Sequence, residues 1–152
     1  MAESVVHNLH TLVTNEESGF YRIILKGHAS FEDIIKVSTE IALFPDTEKE
    51  LWIINELKFN FSSAEIQSLA EMLKSNPYKP EKVAIVTNND LLFGLGRIFS
   101  TYREDEVTTV QVCRREAEAL DWLDIDQTLA DVNEISHSQW RSFPTGSQAN
   151  SD

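Results

Sequence analysis

A chain of 152 residues, 41% hydrophobic and 25% charged, is long and apolar enough to bury one core, which excludes a peptide hormone, a disulfide scaffold or a low-complexity tail. With 13 basic against 25 acidic residues its formal net charge is -12, which repels phosphate backbones and anionic lipid surfaces and argues against a nucleic-acid partner. No apolar run approaches the ~18 residues of a membrane span, and Met1-Ala2-Glu3-Ser4 lacks the basic start and apolar stretch of a secretory signal, so no membrane insertion and a soluble, cytoplasmic protein are expected.

In chain order, His10 to Thr14 and Phe20 to Lys26 are rich in β-branched, aliphatic and aromatic residues, and Asn15 to Gly19 between them is turn material, which predicts an antiparallel hairpin. Ser30 then stands as N-cap with Asp33 at the reciprocal position, and Phe31, Ile34, Ile35, Ser38, Ile41 and Ala42 follow at helical spacing until Pro45. Leu51 to Ile54 is an unbroken apolar run, as for a strand covered on both faces. Ser62-Ser63-Ala64-Glu65 opens a second helix carrying Ile66, Leu69, Ala70, Met72 and Leu73, which Asn76-Pro77 ends. Val83 to Val86 predicts a buried strand, and Asn88-Asn89-Asp90 caps an apolar helix over Leu91 to Tyr102. Glu106 to Cys113 is expected to form the last strand, and Arg115 to Leu123 a short helix with Ala119, Leu120, Trp122 and Leu123 inward.

These elements predict one α/β domain over residues 1–124, a mixed and mostly parallel sheet with helices packed on it. Residues 125–152, acidic and then polar, are expected to be a partly disordered tail with Trp140 and Phe143 as anchors. The lone cysteine, Cys113, sits in an apolar run and is expected to be a buried thiol, in keeping with a reducing compartment.

In such a sheet ligands lie beyond the carboxyl ends of the parallel strands, where helix N-termini gather unpaired N–H groups. The loops due there bring Asn60, Asn88, Asn89, Asp90, Arg114 and Arg115 to one edge, a possible ligand or partner edge, while Ser62, Ser63 and the asparagines also serve as helix caps.

The order of elements, the segment Leu51-Trp52-Ile53-Ile54-Asn55-Glu56-Leu57-Lys58-Phe59-Asn60-Phe61-Ser62-Ser63-Ala64, and the stretch from Lys82-Val83-Ala84-Ile85-Val86 through Phe93-Gly94-Leu95-Gly96-Arg97 to Ala119-Leu120-Asp121-Trp122-Leu123 resemble the STAS, or SpoIIAA-like, superfamily over residues 8–124. That resemblance implies STAS topology and a regulatory domain that binds a protein partner and is switched by phosphorylation of a serine opening a helix, here Ser62 or Ser63. The family's Asp-Ser-Ser-Gly is Phe61-Ser62-Ser63-Ala64 in this chain. The second half is more similar to a small bacterial STAS and SEC14-like branch, which implies a lipid-carrier-like alternative.

Gly94-Leu95-Gly96 lacks the third glycine of a dinucleotide fingerprint and lies within a helix pattern, so close packing against another backbone or a ligand is the expectation. The same helix is apolar on more than one face, which makes Phe93, Gly94, Gly96, Phe99 and Tyr102 a possible contact surface for the tail, a second copy or an apolar ligand. His7 and His10 have no evident third ligand, so no metal is expected, and no cofactor either. No nucleophile elbow, zinc-protease motif or phosphate-binding loop occurs, so the chain is expected not to be an enzyme. The resulting expectation is a non-catalytic cytosolic protein-interaction domain that binds another protein or self-associates as a dimer; the alternative is a carrier or sensor of a small apolar or phosphorylated ligand lodged between the Phe93 to Tyr102 helix and the sheet.

Overall fold

The structure, a computed structural model, describes residues 9–16, 19–44, 48–59, 61–77, 79–125 and 140–142. It opens with the hairpin β1 (His10–Glu16) and β2 (Phe20–His28), closed where the Gly19 N–H donates to the Glu16 carbonyl at 3.0 Å. Gly19 has φ +94°, a conformation that a side chain at this position would strain. Helix α1 (Phe31–Ile41) then leads into three strand-helix units, β3 (Lys49–Lys58) with α2 (Ser63–Lys74), β4 (Lys82–Val86) with α3 (Asp90–Arg103) and β5 (Thr109–Cys113) with α4 (Glu116–Trp122), with β6 (Trp140–Ser142) last. The strand order is β5-β4-β3-β2-β1-β6, with β2 through β5 parallel and β1 antiparallel to both its neighbours. The expected mixed, mostly parallel α/β sheet is therefore present.

Local chemistry accounts for the helix starts. Ser30 Oγ accepts from Asp33 N at 3.1 Å while Asp33 Oδ2 accepts from Ser30 N at 3.1 Å, a reciprocal cap that satisfies two of the N–H groups a helix leaves unpaired. Ser62 and Glu65 repeat the arrangement on α2, and Asn89 Oδ1 accepts from Leu92 N at 3.0 Å on α3.

Two apolar layers sandwich the sheet. On one face α1, α2 and α3 bury Val13, Ile23, Leu25, Ile34, Val37 and their neighbours. On the other, α4 packs Ala119, Leu120 and Leu123 against Phe20, Leu51, Ala84, Val86 and Cys113. Burial pushes the Cys113 thiol up, with the nearby Glu118 carboxylate adding to the effect, which keeps it a protonated core group.

Three expected elements differ in the structure. The last strand begins at Thr109 and not at Glu106, because Asp105 Oδ1 accepts from Val107 N at 2.8 Å and Thr108 N at 2.9 Å and folds residues 105–108 into a turn. Burial alone would raise the Asp105 carboxyl, but those two N–H groups and the Lys79 ammonium outweigh it and hold it well below the usual carboxylate range. The strand expected at Leu51 to Ile54 runs from Lys49 to Lys58, and it is not covered tightly on both sides: Leu51 is fully buried, whereas Trp52, Ile53 and Ile54 are half-buried. Lastly, residues 140–142, expected to lie in a tail, pair with β1, Leu12 opposite Ser142 and Thr14 opposite Trp140. Phe143 and the rest of that segment from 126 to 139 and from 143 onward lie outside the described residues. Among the described residues no helix is long and apolar enough to cross a membrane.

Candidate functional site

A break in register on β3 shapes the most distinctive feature of the molecule. Along β2 and β3, Ile24 faces Ile53 but Lys26 faces Glu56, so β3 carries one extra residue between those pairs. Strand side chains alternate between faces, and the extra residue shifts the phase. Glu50, Trp52 and Ile54 before it and Leu57 after it consequently line the same space, under the three-helix layer.

That space is a cavity of about 130 Å³. Its floor is β2, β3 and β4, through Leu25, Trp52, Ile54, Val83 and Ile85, and its roof is α1, α2 and α3, through Ile34, Leu69, Leu73, Leu92, Leu95 and Phe99. At the end near the close of β3 stand Phe59 and Phe61, stacked with centroids 4.1 Å apart, with Phe31 edge-on to Phe61 at 5.5 Å. At the end near the start of β3 the lining turns polar, with Glu50, Asn76 and Arg103.

Glu50 and Arg103 are both buried. Trp52 Nε1 donates to Glu50 Oε1 at 2.8 Å. Burial drives the Glu50 carboxyl up to about 7, although the Trp52 bond and the charge of Arg103 pull the other way. Arg103 enters from the last turn of α3, its side chain 4% exposed, and Nη2 donates to Thr108 Oγ1 at 3.3 Å. Nη1 lies 3.5 Å from Asp105 Oδ2, an ion-pairing distance, but makes no hydrogen bond. Burial also lowers the guanidinium's affinity for its proton, opposed by Asp105 and Glu50. Behind it Lys79 Nζ donates to Asp105 Oδ2 at 3.0 Å.

Of the residues singled out from sequence, Gly96 and Phe99 line this cavity, while the polar ones sit elsewhere and are largely engaged. Ser62 is held in its capping box, Asn89 caps α3, and Asn88 N donates to Asn55 Oδ1 at 2.9 Å. Arg114 Nη1 donates to Asp90 Oδ1 at 2.8 Å and its guanidinium lies 4.0 Å over the Phe93 ring, while Arg115 Nη2 donates to Glu118 Oε2 at 3.3 Å. Ser63 is exposed in the first turn of α2, and Asn60 lies outside the described residues. The described ones among these groups do share the carboxyl edge of the sheet, as their loops follow the parallel strands β3 to β5. Ser62→Ala should lower stability by about 1 kcal/mol in urea denaturation, and Ser63→Ala by less than about 0.5 kcal/mol, because only the first removes a cap.

On α3 the two glycines part company. A Cβ at Gly96 would come within 3.3 Å of both Val112 methyl carbons, so close packing against β5 explains it. At Gly94 the expectation of close packing fails, because a Cβ there meets nothing within 4 Å. Gly94→Ala should therefore stabilise the fold by about 0.5–1 kcal/mol through helix propensity, and Gly96→Ala should gain less, as read from urea midpoints. Phe99 lines the cavity, whereas Leu91 is 65% and Tyr102 38% exposed. Strand β6 does not cover them: it pairs with β1, at the far end of the sheet from β5, against which α3 packs.

Sequence reasoning missed Glu50 and Arg103, though each leaves a trace. Arg103 falls in phase with Leu92, Leu95, Gly96 and Phe99 along the inner stripe of α3, and Glu50 falls in phase with Trp52 and Ile54 on β3. A charge on an apolar stripe was the available signal. His7 lies outside the described residues and His10 is exposed at the start of β1. Among the described residues no three His, Cys, Asp or Glu side chains are grouped to hold a metal. No protein-family model, curated protein or solved structure matches this chain.

Proposed function

We propose that the protein is a carrier or sensor of a small apolar ligand, held in the cavity between the sheet and helices α1, α2 and α3. The observation that carries this reading is the cavity itself, about 130 Å³ of space lined almost wholly by aliphatic and aromatic side chains. Protein interiors pack as densely as organic crystals, and apolar surface left in contact with water forgoes about 25 cal/mol per Å², so an apolar occupant that covers this lining is favoured. The resemblance to the STAS and SEC14-like branch points the same way. Docking of a protein partner at the carboxyl edge draws less support, since Ser62, Asn89, Asp90, Arg114 and Arg115 are already committed to caps and ion pairs.

The test is titration with N-phenyl-1-naphthylamine, a neutral apolar dye that fluoresces when shielded from water. Saturable one-to-one enhancement is expected. Ile85→Trp, which fills the space from β4, should weaken it by about tenfold or more while leaving the protein folded. Enhancement that is absent, or unchanged in the variant, overturns the proposal.

A further inference from the structure

We infer that the ligand is a straight-chain carboxylic acid, bound with its carboxylate at Arg103 and its hydrocarbon tail toward Phe59 and Phe61. This deepens the carrier reading and rests on it. The layout of the cavity argues for a chain: β3 lines it from Glu50 to Leu57, and at about 3.3 Å per residue that is a path of roughly 20 Å, polar at one end and aromatic at the other.

The polar end argues for the headgroup. Arg103 lines the cavity with its side chain 4% exposed, and its Nη1, 3.5 Å from Asp105 Oδ2, makes no hydrogen bond. A buried donor without a partner is costly, and a carboxylate is the planar acceptor that a guanidinium fork fits best.

The local charges favour a single negative charge. Facing Glu50 are Arg103 from α3, the Trp52 indole on its own strand and Tyr21 opposite it on β2, with Asn76 also at this end of the lining. Asp105 and Lys79 stand behind Arg103. Lys79 and Asp105 cancel, so the end carries one net positive charge when Glu50 is protonated and none when it is ionised. The carboxylate of the ligand thus takes the place of the Glu50 charge, and its arrival is linked to a proton on Glu50. A carboxyl that titrates near neutrality makes that proton available.

Isothermal titration with decanoate and 1-decanol tests this, since the two share a tail and differ in headgroup. Wild-type protein should bind decanoate about tenfold or more tightly than decanol at pH 6, and the preference should shrink at pH 8. Arg103→Met should erase the preference and leave decanol binding within about twofold. Glu50→Gln should retain the pH 6 affinity for decanoate at pH 8, and it carries the test should Arg103→Met fail to fold. Equal binding of both probes by wild type and variants alike overturns the carboxylate assignment while the carrier reading stands. Failure of both probes to bind overturns the two together.

Discussion

Replacing Arg22 with methionine should destabilise the protein by about 3–5 kcal/mol, the range for breaking a buried ion pair from one side. Arg22 Nε donates to Glu16 Oε2 at 3.2 Å, and the side chains are 1% and 0% exposed. Register places Arg22 opposite Thr14 on β1 and Leu51 on β3, in the middle of the sheet's α4 face. Removing the guanidinium leaves the Glu16 carboxylate in a medium that solvates it poorly, and the energy of that stranded charge far exceeds what the lost attraction was worth. Arg22 also pairs with Glu116, which is 35% exposed, and water makes up for the loss there. Glu116→Gln should accordingly cost less than about 1 kcal/mol. Urea denaturation of both variants at pH 7 checks the contrast, and an equal, small loss in the two would show that Glu16 and Arg22 are not the buried pair described above.

The second large effect concerns pH. Glu50 has its carboxyl raised to about 7 by burial, against an ordinary value of 4.5. Between those two values the folded state holds a proton that the unfolded chain releases, so stability through this group is fully present below pH 4.5 and falls as pH rises through about 7. At about 1.36 kcal/mol per pH unit the loss amounts to roughly 3 kcal/mol, as an order of magnitude. Glu50→Gln stays neutral throughout and keeps an acceptor for Trp52 Nε1. The variant should melt well above wild type at pH 8 and close to it at pH 4.5, and the difference between the two proteins cancels every other titrating group. A constant difference across that range would refute the assignment. The same substitution at pH 8 is the one that should preserve decanoate binding, so stability and affinity report on one proton by independent routes.

Much of the fold was legible in the sequence because the signals are local. Ser30 with Asp33 and Ser62 with Glu65 stand three residues apart, the spacing of a reciprocal cap, and both form it. The strand runs on either side of Gly19 gave the hairpin, and the α/β alternation that follows fixes parallel strands and hence a common edge for Asn88, Asn89, Arg114 and Arg115. What was not legible depends on chain segments meeting. The extra residue in β3 leaves no mark on the run Trp52-Ile53-Ile54, yet it turns Glu50 and Leu57 to the same side. Asp105 draws its role from contacts that no local pattern announces, its two backbone donors and Lys79. Arg103 and Glu50 belong to different elements, α3 and β3, and only the packing of one on the other gives them a common cavity. Of the two places expected from sequence, the candidate site is accordingly not the loops at the carboxyl edge but the space between the Phe93 to Tyr102 helix and the sheet, where two charges were hidden among apolar neighbours.

The pairing of β6 with β1 sets an order of events as the chain leaves the ribosome. Leu12, Val13 and Thr14 precede the other strands of the sheet in the chain, but their partners on the outer side, Ser142, Arg141 and Trp140, come after every other described element. Until then the outer rim of β1 offers open backbone donors and acceptors to any extended segment nearby, the circumstance in which nascent chains cross-associate. Slow synthesis or a nonsense mutation ahead of position 140 would prolong that exposure, and holdase chaperones would be expected to engage this hairpin during that interval.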